Sequence, residues 1–273
     1  MKKNKIEAID HFLSKEKFFI QESKISGVLK TFPKPKSLKK YYNSPEYLSH
    51  KNGKSTFSKI YLLFKKLNFS YKLGLIKSFK KDFDSLFDYG SGNGFFVSKL
   101  RQSSVYAVGY DPFLKLKEEG LYSDLGFLKA QNPKKFDVVT MWHSLEHTDS
   151  YLRALKEAKA MLSNKGVLII ACPNYKSLDS KHYGPYWAGF DVPRHLWHFS
   201  PDGMKTVLSS CGIDLIKTKP MLFDPFYVSM ISEKYKKSKI WFIKGLFVGL
   251  ASSLASLINK NPSSVIYVAK KQK

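Results

Sequence analysis

The feature that most constrains the fold of this chain is a glycine-rich turn between an apolar run and an amphipathic segment. It extends from Leu86 to Phe96 and reads Leu-Phe-Asp-Tyr-Gly-Ser-Gly-Asn-Gly-Phe-Phe. Glycine reaches positive φ and lets a ligand approach the backbone. The free N–H groups at a helix start can face a polar or anionic group. The segment therefore predicts a buried strand, a ligand-binding turn and the first turn of a helix.

Beyond this turn, apolar strands alternate with helical segments. Strands are predicted over 85–88, 105–110, 125–128 (weakly), 136–142, 167–171, 213–217 and 264–270, with helices over about 94–101, 112–119, 149–162 and 201–210. Nearly all-apolar strands that alternate with helices indicate a parallel sheet covered on both faces. We predict an α/β fold of the Rossmann-like, doubly wound type, with a mostly parallel seven-stranded sheet whose ligands bind beyond the carboxyl ends of the strands.

Two regions lie outside this alternation. Residues 1–84 are basic and turn-rich, with a helix predicted over 57–79, and we interpret them as an N-terminal arm and helix. Residues 240–258 are apolar for 19 residues apart from Lys244, but glycines and serines interrupt them. Since a spanning helix needs about 20 predominantly apolar residues, we interpret 221–260 as a helical insertion in a domain that covers 85–273. Contact of this insertion with a membrane surface or a lipophilic substrate stays open.

The spacing of the glycines and of two carboxylates narrows the ligand. Glycines at 90, 92 and 94 differ from the G-x-G-x-x-G of dinucleotide sites, which disfavours a nicotinamide oxidoreductase. Asp88 precedes the glycines and would be poorly placed against a pyrophosphate. Asp111 ends the second strand, 19 residues after Gly92, where a carboxylate can bind both hydroxyls of a ribose. The pattern indicates a ligand with a ribose and a positively charged, amino-acid-like end.

These residues, together with Phe136-Asp137-Val138-Val139 as the fourth strand, resemble the class I S-adenosylmethionine-dependent methyltransferases. The run Trp-His-Ser-Leu-Glu-His at 142–147 is similar to the subgroup of ubiquinone-type and other small-molecule methyltransferases. The resemblance covers about 85–216 and the last strand, and it implies S-adenosylmethionine as the cofactor. It assigns cofactor contacts as follows: Asp88, Gly90, Gly92 and Gly94 at the methionine part, Asp111 at the ribose, the segment around Phe127–Leu128 at the adenine, and Met141, Trp142 and His143 beside the methyl group. Two alternatives remain open, namely that Asp88 caps the turn and that Gly94 only allows close helix–sheet packing.

The acceptor would bind at the connection 173–200, which is dense in aromatic residues, His and Arg. Long connections without regular structure tend to be functional, and a similar Asp-x-Pro-Arg-His element occurs in some bacterial methyltransferases of this group. The predicted substrate-binding residues are Asp191, Arg194, His195 and His198. His195 is a candidate general base, His143 is a second catalytic candidate, and Arg194 could hold an anionic group. The alternative is an Asp191–Arg194 ion pair that folds the loop, with both histidines packed among aromatic rings.

No metal is predicted. Residues 143–147 match H-x-x-E-H, a pattern of zinc hydrolases, but that chemistry needs both histidines on one helix face and this run follows a strand. Cys172 and Cys211 have no disulfide or metal spacing. We interpret them as two buried thiols in a reducing compartment and expect a cytoplasmic protein.

The net charge of the chain bears on the class of acceptor that it would methylate. The chain has a formal net charge of +24, with 20 lysines against seven acidic residues in 1–84 and 11 lysines against two in 217–273. Such basic flanks keep an RNA methyltransferase open. Only three of the 46 basic residues are arginine, which recognises phosphates and bases bidentately. We therefore predict methyl transfer to an O, N or C nucleophile of a small-molecule or lipid-like acceptor. An RNA methyltransferase and a non-catalytic S-adenosylmethionine-binding protein are the alternatives, and the oligomeric state stays unknown.

Overall fold

The computed structural model describes residues 5–42, 56–114 and 118–272, and for 56–67 the backbone alone. The strands are β1 (Ile6–Ile9), β2 (Lys17–Glu22), β3 (Val28–Phe32), β4 (Ser85–Tyr89), β5 (Tyr106–Tyr110), β6 (Leu121–Tyr122), β7 (Phe136–Trp142), β8 (Leu162–Pro173), β9 (Trp197–Phe199), β10 (Ile213–Pro220) and β11 (Ser264–Lys271). The α-helices are α1 (Lys39–Tyr42), α2 (Thr56–Phe79), α3 (Phe95–Arg101), α4 (Leu125–Gln131), α5 (Tyr151–Met161), α6 (Leu178–Tyr183), α7 (Pro201–Ser210), α8 (Asp224–Tyr235) and α9 (Trp241–Asn259). Short 3₁₀ turns lie at Leu145–His147, Gly184–Tyr186 and Ala188–Phe190.

The larger sheet has seven strands in the order β10-β11-β8-β7-β4-β5-β6. Strand β11 runs antiparallel to both of its neighbours, and the other pairs are parallel. Adjacent residues of one strand enter different cores: Leu86 and Val138 pack on one face, Phe87 and Val139 on the other. Since side chains alternate between the faces of a strand, burial of both faces explains the continuous apolar runs. The predicted Rossmann-like, mostly parallel seven-stranded sheet is confirmed.

The prediction of a third strand over 125–128 is wrong. These residues begin helix α4, and the third strand is the short β6, which pairs with Gly109 and Tyr110. Asp124 explains the difference, because its carboxylate accepts a hydrogen bond from the backbone N–H of Phe127, at 2.6 Å. Such an N-cap stabilises the start of a helix. It outweighs the preference of this short apolar run for a strand. The helix predicted over 112–119 falls partly on residues outside the described ones, and its described residues form turns.

The N-terminal region contains a second sheet that we did not predict. Strands β1, β2 and β3 form antiparallel pairs, and β9 adds to β3 through the pair Val28 and Phe199. Phe18 and Ile20 of β2 are buried at alternate positions and contribute to a third core with Trp187. The connection 173–200 is therefore not an irregular loop, because it holds α6, two 3₁₀ turns and a strand of this sheet. The division of the chain near residue 84 stays a prediction.

Candidate active site

A cavity of about 760 Å³ opens at the carboxyl ends of β4, β5 and β7. It is lined by residues 34–39, Tyr42, Tyr89, Gly90, Gly92, 110–113, 123–126, His143, Ser144, 147–150, Arg153, Ala154 and Glu157. This is the edge at which parallel sheets of this type bind their ligands. The contribution of 34–39 and Tyr42 is not apparent in the sequence, where the only signal is an extended proline-containing segment followed by two tyrosines.

The glycine turn forms one wall of the cavity, and its three glycines meet different surroundings. All three have positive φ, between 57° and 82°. A Cβ on Gly90 would overlap the Ser144 side chain, whose hydroxyl donates a hydrogen bond to the Tyr89 carbonyl at 2.7 Å. A Cβ on Gly92 would meet no atom within 4 Å, so the backbone there is open to a ligand. Gly94 does not line the cavity and instead abuts Leu121 of β6, which is the packing alternative raised by the sequence.

Asp111 lies in the cavity wall beside this turn. One of its carboxylate oxygens accepts a hydrogen bond from the backbone N–H of Gly92 and the other from that of Phe113, both at 2.9 Å. Burial raises the pKa of Asp111, and the two hydrogen bonds oppose that rise. Each oxygen of a carboxylate has a second acceptor site. The group is therefore held in place by the turn and can still accept hydrogen bonds from two adjacent hydroxyls of a ligand.

Asp88 and the end of β7 occupy positions different from those that the resemblance implies. Asp88 is buried behind the turn and does not line the cavity; its carboxylate accepts a hydrogen bond from the Thr140 hydroxyl at 2.7 Å. Burial raises the pKa of Asp88 to about 6. Met141 and Trp142 are buried in the two cores and also lie outside the cavity lining. Among residues 141–143, His143 alone reaches the cavity, and its φ of 49° turns the chain there.

His143 is held between two carboxylates. Its Nε2 is 2.9 Å from Oδ2 of Asp224, the first residue of α8, and its Nδ1 is 3.3 Å from Oε1 of Glu146. Burial alone would lower the pKa of His143, but Asp224 and Glu146 outweigh it and raise that pKa to about 10. A protonated imidazole has no lone pair for a proton, so this geometry does not allow His143, the second catalytic candidate, to act as a general base. The sequence analysis did not identify Asp224 as a site residue, because Asp224 lies in the insertion, outside the part of the chain that the family resemblance covers.

We expect the unfolding free energy of His143→Gln to fall less steeply with rising pH, above pH 7, than that of the wild type. The folded-state pKa of about 10 exceeds the ordinary 6.5, so the contribution of His143 is fully present below pH 6.5 and declines as the pH rises towards 10. Between pH 7 and 10 the wild type should lose about 3–4 kcal/mol more unfolding free energy than the variant. Urea unfolding across this range measures it, with exposed His182→Gln as control. Equal slopes for wild type and His143→Gln would contradict the imidazolium assignment.

Arg194 adopts the ion-pair alternative that the sequence left open. Its Nη2 is 2.6 Å from Oδ1 of Asp191 and 3.0 Å from Oδ1 of Asp10, in the turn that follows β1. The residue is 2% exposed, and neither Arg194 nor Asp191 lines the large cavity. The guanidinium therefore joins the Asp-x-Pro-Arg-His segment to the N-terminal sheet and does not face the place where an acceptor would bind. Asp10 is a partner that no local pattern indicates.

The two histidines that follow Arg194, His195 and His198, are buried within the fold. His195 Nδ1 donates a hydrogen bond to the Gly189 carbonyl, at 2.9 Å. His198 Nε2 is 3.0 Å from the Thr31 hydroxyl, and burial lowers the pKa of His198 to about 3. Neither residue is part of the cavity lining. This matches the alternative in which both histidines pack within the fold, and His195 is not positioned as a general base.

His147, in the 3₁₀ turn that follows β7, also lines the cavity. Its Nδ1 is 3.1 Å from the Arg194 carbonyl and 2.8 Å from the Tyr42 hydroxyl. Since a carbonyl oxygen only accepts, Nδ1 carries the proton and the lone pair is on Nε2. Burial lowers the pKa of His147 to about 4, which keeps the ring neutral. Its edge packs on the His195 ring, with ring centroids 4.5 Å apart, so His195 positions it.

Glu146, His147 and His195 also bring one potential metal-ligating atom each within 4.8 Å of the others. These groups already have partners: Glu146 pairs with His143, His147 contacts the Arg194 carbonyl, and His195 contacts the Gly189 carbonyl. Glu146 also accepts a hydrogen bond from the thiol of Cys172, which is buried like Cys211, as predicted. The cluster is explained by its own hydrogen bonds, and the expected absence of a metal stays a prediction.

Comparison with known proteins places this geometry in context. Residues 51–218 match a family model described as a methyltransferase domain. An uncharacterized protein of Methanocaldococcus jannaschii is 31% identical over 185 residues, which cover 64% of this chain and 80% of that protein. The crystal structure of a plantazolicin methyltransferase, in complex with a triazolic desmethylPZN analog and SAH, aligns with a TM-score of 0.51 at 15% identity, over 86% of this chain and 94% of that one. The magnesium protoporphyrin IX methyltransferase of Synechocystis PCC 6803, with bound SAH, aligns with a TM-score of 0.51 at 14% identity, over 86% and 98%. At these identities the two structures are similar in fold.

Proposed function

Because the chain belongs to the methyltransferase-domain family of class I S-adenosylmethionine-dependent enzymes, we propose that it methylates an O, N or C nucleophile of a small-molecule or lipid-like acceptor. The observation that carries this proposal is the position of Asp111, which lies beside the open backbone of Gly92 in a cavity of about 760 Å³. A cavity of this size has room for a cofactor and part of an acceptor, since sites for single drug-sized ligands span about 300–1,000 Å³.

The cavity wall fits the cofactor, S-adenosylmethionine. Asp111 would accept hydrogen bonds from the ribose hydroxyls, and the backbone of Gly90 and Gly92 would approach the methionine part. The adenine would lie against residues 123–126, which line the cavity. The sequence placed it around Phe127–Leu128, but Leu128 is buried in the core and Phe127 is exposed outside the lining. When bound, S-adenosylmethionine supplies a methyl group that its positively charged sulfur makes electrophilic.

The charges around His143 suit a cationic cofactor. His143 is protonated, whereas Asp224 and Glu146 are ionised and their carboxyl pKa values are lowered, that of Glu146 to about 2. The three side chains together carry one negative charge, and His143 is the one of them that lines the cavity; the ammonium of Lys72 also acts on Asp224. Burial strengthens the interaction of such a charge with a nearby cation. We infer that this cluster favours the sulfonium form of the cofactor over the neutral product.

The remaining wall would hold the acceptor. Residues 34–39 and Tyr42, from the N-terminal segment, and His147, from the turn after β7, also line the cavity. His147 would accept a hydrogen bond from the hydroxyl or amine to be methylated and so orient its lone pair. Most of the rate acceleration would come from holding the nucleophile in line with the methyl group. We therefore assign this orienting role to His147 and propose no contact with the acceptor for His195, the candidate general base of the sequence analysis.

The proposal is tested by binding and turnover. We expect calorimetry to detect binding of S-adenosylmethionine and of S-adenosylhomocysteine, and we expect methyl-labelled cofactor to label a component of a cell extract. Fractionation into small molecules, lipids and RNA then identifies the acceptor class. Label in RNA that falls steeply with salt would favour the RNA alternative. Binding without any labelled product would favour a non-catalytic cofactor-binding protein, and absence of binding would contradict the proposed function.

A further inference from the structure

Helix α9 presents a row of large apolar side chains to solvent. They are Phe242, Ile243, Leu246, Phe247, Leu250, Leu254, Leu257 and Ile258, each between 37% and 87% exposed. Most of them recur at intervals of three and four residues, so they share one side of the helix over its whole length. We call this set the apolar face of α9. Continuous exposed apolar surface of this kind marks a place of interaction.

The opposite side of α9 is small and polar, and it is fixed against the fold. A Cβ on Gly245 would stand 2.6 Å from Cα of Met230 and one on Gly249 2.8 Å from Cα of Phe226, so only glycine permits this approach to α8. Further along, the Ser252 hydroxyl donates a hydrogen bond to Asp179 at 2.6 Å. A helix on the surface of a globular protein normally buries its apolar side. Here the orientation is reversed, and α9 cannot rotate to hide its apolar face without losing these contacts.

The exposed charges of the α8–α9 pair are positive. Exposed lysines are Lys234, Lys236, Lys237, Lys239, Lys244 and Lys260. The two acidic residues of 217–273 do not offset these lysines at the surface, since Asp224 pairs with His143 and Glu233 is buried. Lys234 also lies over the Trp241 ring, with its ammonium 4.0 Å from the ring centroid, at the start of α9. Lysines near a membrane surface are attracted to anionic lipid headgroups, and tryptophan is enriched at the headgroup level.

We propose that the α8–α9 pair docks on an anionic membrane surface, with the apolar face of α9 in the boundary between headgroups and acyl chains. An amphipathic helix with a basic rim binds membranes in this way, lying in the interface. A second copy of this chain fits less well, because it would bring two sets of lysines together without acidic partners. Docking does not depend on methyl transfer, so failure of the proposed function would leave this inference standing.

The helix lies on the membrane and does not cross it. By length and composition α9 would be able to span a bilayer. Spanning would, however, separate Gly245 and Gly249 from α8 and break the hydrogen bond between Ser252 and Asp179. It would also carry Lys244 into or across the bilayer. Interfacial docking keeps every one of these contacts, because only the exposed side of the helix enters the lipid.

The first of the two docking helices begins beside the cavity wall. Leu222 and Phe223 are exposed just before α8, and the next residue, Asp224, holds His143 at 2.9 Å. The docking helices are thus joined to the cavity without a flexible linker among the described residues. Docking of this kind would favour a lipid-soluble acceptor, a consequence that does rest on the proposed function.

The test is flotation of the full chain with vesicles. We expect at least tenfold stronger binding to phosphatidylcholine vesicles that contain phosphatidylglycerol than to phosphatidylcholine alone, and weaker binding as salt is raised. The double variant Phe247→Ser/Leu254→Ser should lose at least tenfold of this binding. The control is Ile216→Ser, which removes an exposed apolar side chain on β10, outside the apolar face of α9, and should bind like the wild type. Melting temperatures equal to that of the wild type show that the variants are folded.

Several results would overturn the inference. Equal binding to neutral and anionic vesicles would contradict the role of the lysines, and unchanged binding of the double variant would contradict the role of the apolar face. Absence of binding to either vesicle would exclude docking on a membrane of this composition. A dimer that forms without vesicles and is dissolved by Phe247→Ser/Leu254→Ser would make the face a contact between copies of this chain instead.

Discussion

Replacement of Asp111 by alanine is expected to weaken binding of S-adenosylmethionine by about 100-fold. Each hydrogen bond to a charged group contributes about 1.5–3 kcal/mol, and the carboxylate has one acceptor site left on each oxygen for the two ribose hydroxyls. The alanine also releases the N–H groups of Gly92 and Phe113, which the carboxylate now holds at 2.9 Å. Calorimetric titration of the wild type and the variant measures the difference.

Two variants control this experiment. Asp82→Ala removes an exposed carboxylate outside the cavity and should leave the cofactor affinity unchanged. Asp111→Asn keeps an acceptor oxygen of similar size but loses the charge, so we expect an affinity between those of the wild type and Asp111→Ala. Unfolding without ligand shows whether the variants are intact. An Asp111→Ala protein that is folded and binds the cofactor as tightly as Asp82→Ala would contradict the ribose assignment.

The second large effect is on stability, at Arg194. Arg194→Ala is expected to lower the unfolding free energy by about 3–5 kcal/mol, as for other buried ion pairs that lose one partner. Asp10 is fully buried, and the guanidinium of Arg194 is its cationic partner as well as that of Asp191. The three residues connect the N-terminal sheet to the segment that follows the 3₁₀ turns. Urea unfolding followed by circular dichroism measures the change.

Arg101→Ala is the matched control for this prediction. Arg101 also pairs with a carboxylate, but its partner Glu119 is 88% exposed, and exposed pairs contribute about 0–1 kcal/mol. A further variant, Arg194→Lys, keeps a charge but cannot reach both carboxylates in the forked geometry, so we expect an intermediate loss. A cost of Arg194→Ala no larger than that of Arg101→Ala would show that the buried cluster does not stabilise the fold.

The sequence was sufficient for the mostly parallel, seven-stranded sheet and for the position of Asp111 beside the glycine turn. Strands β4, β7 and β8 are buried on both faces, so they appear as continuous apolar runs that local periodicity detects. Asp111 could be placed because the carboxyl ends of parallel strands share one edge, and the residue that follows β5 must lie beside the turn that follows β4. These are short-range consequences of strand geometry. Where a local signal competed, as with the Asp124 cap at the start of α4, the prediction was wrong.

The roles of the histidines needed the folded chain, because a pKa depends on groups that are distant in sequence. His143 and His195 are both catalytic candidates in the sequence, yet Asp224 from the insertion stabilises the protonated form of His143 and the Gly189 carbonyl accepts a hydrogen bond from His195. Arg194 pairs with Asp10, which lies 184 positions away in the sequence. The same holds for α9: its composition is apparent in the sequence, but the direction of its apolar face is set by the close packing of two glycines on α8. Periodicity reports what one segment prefers, whereas charge pairing and helix orientation depend on which segments meet.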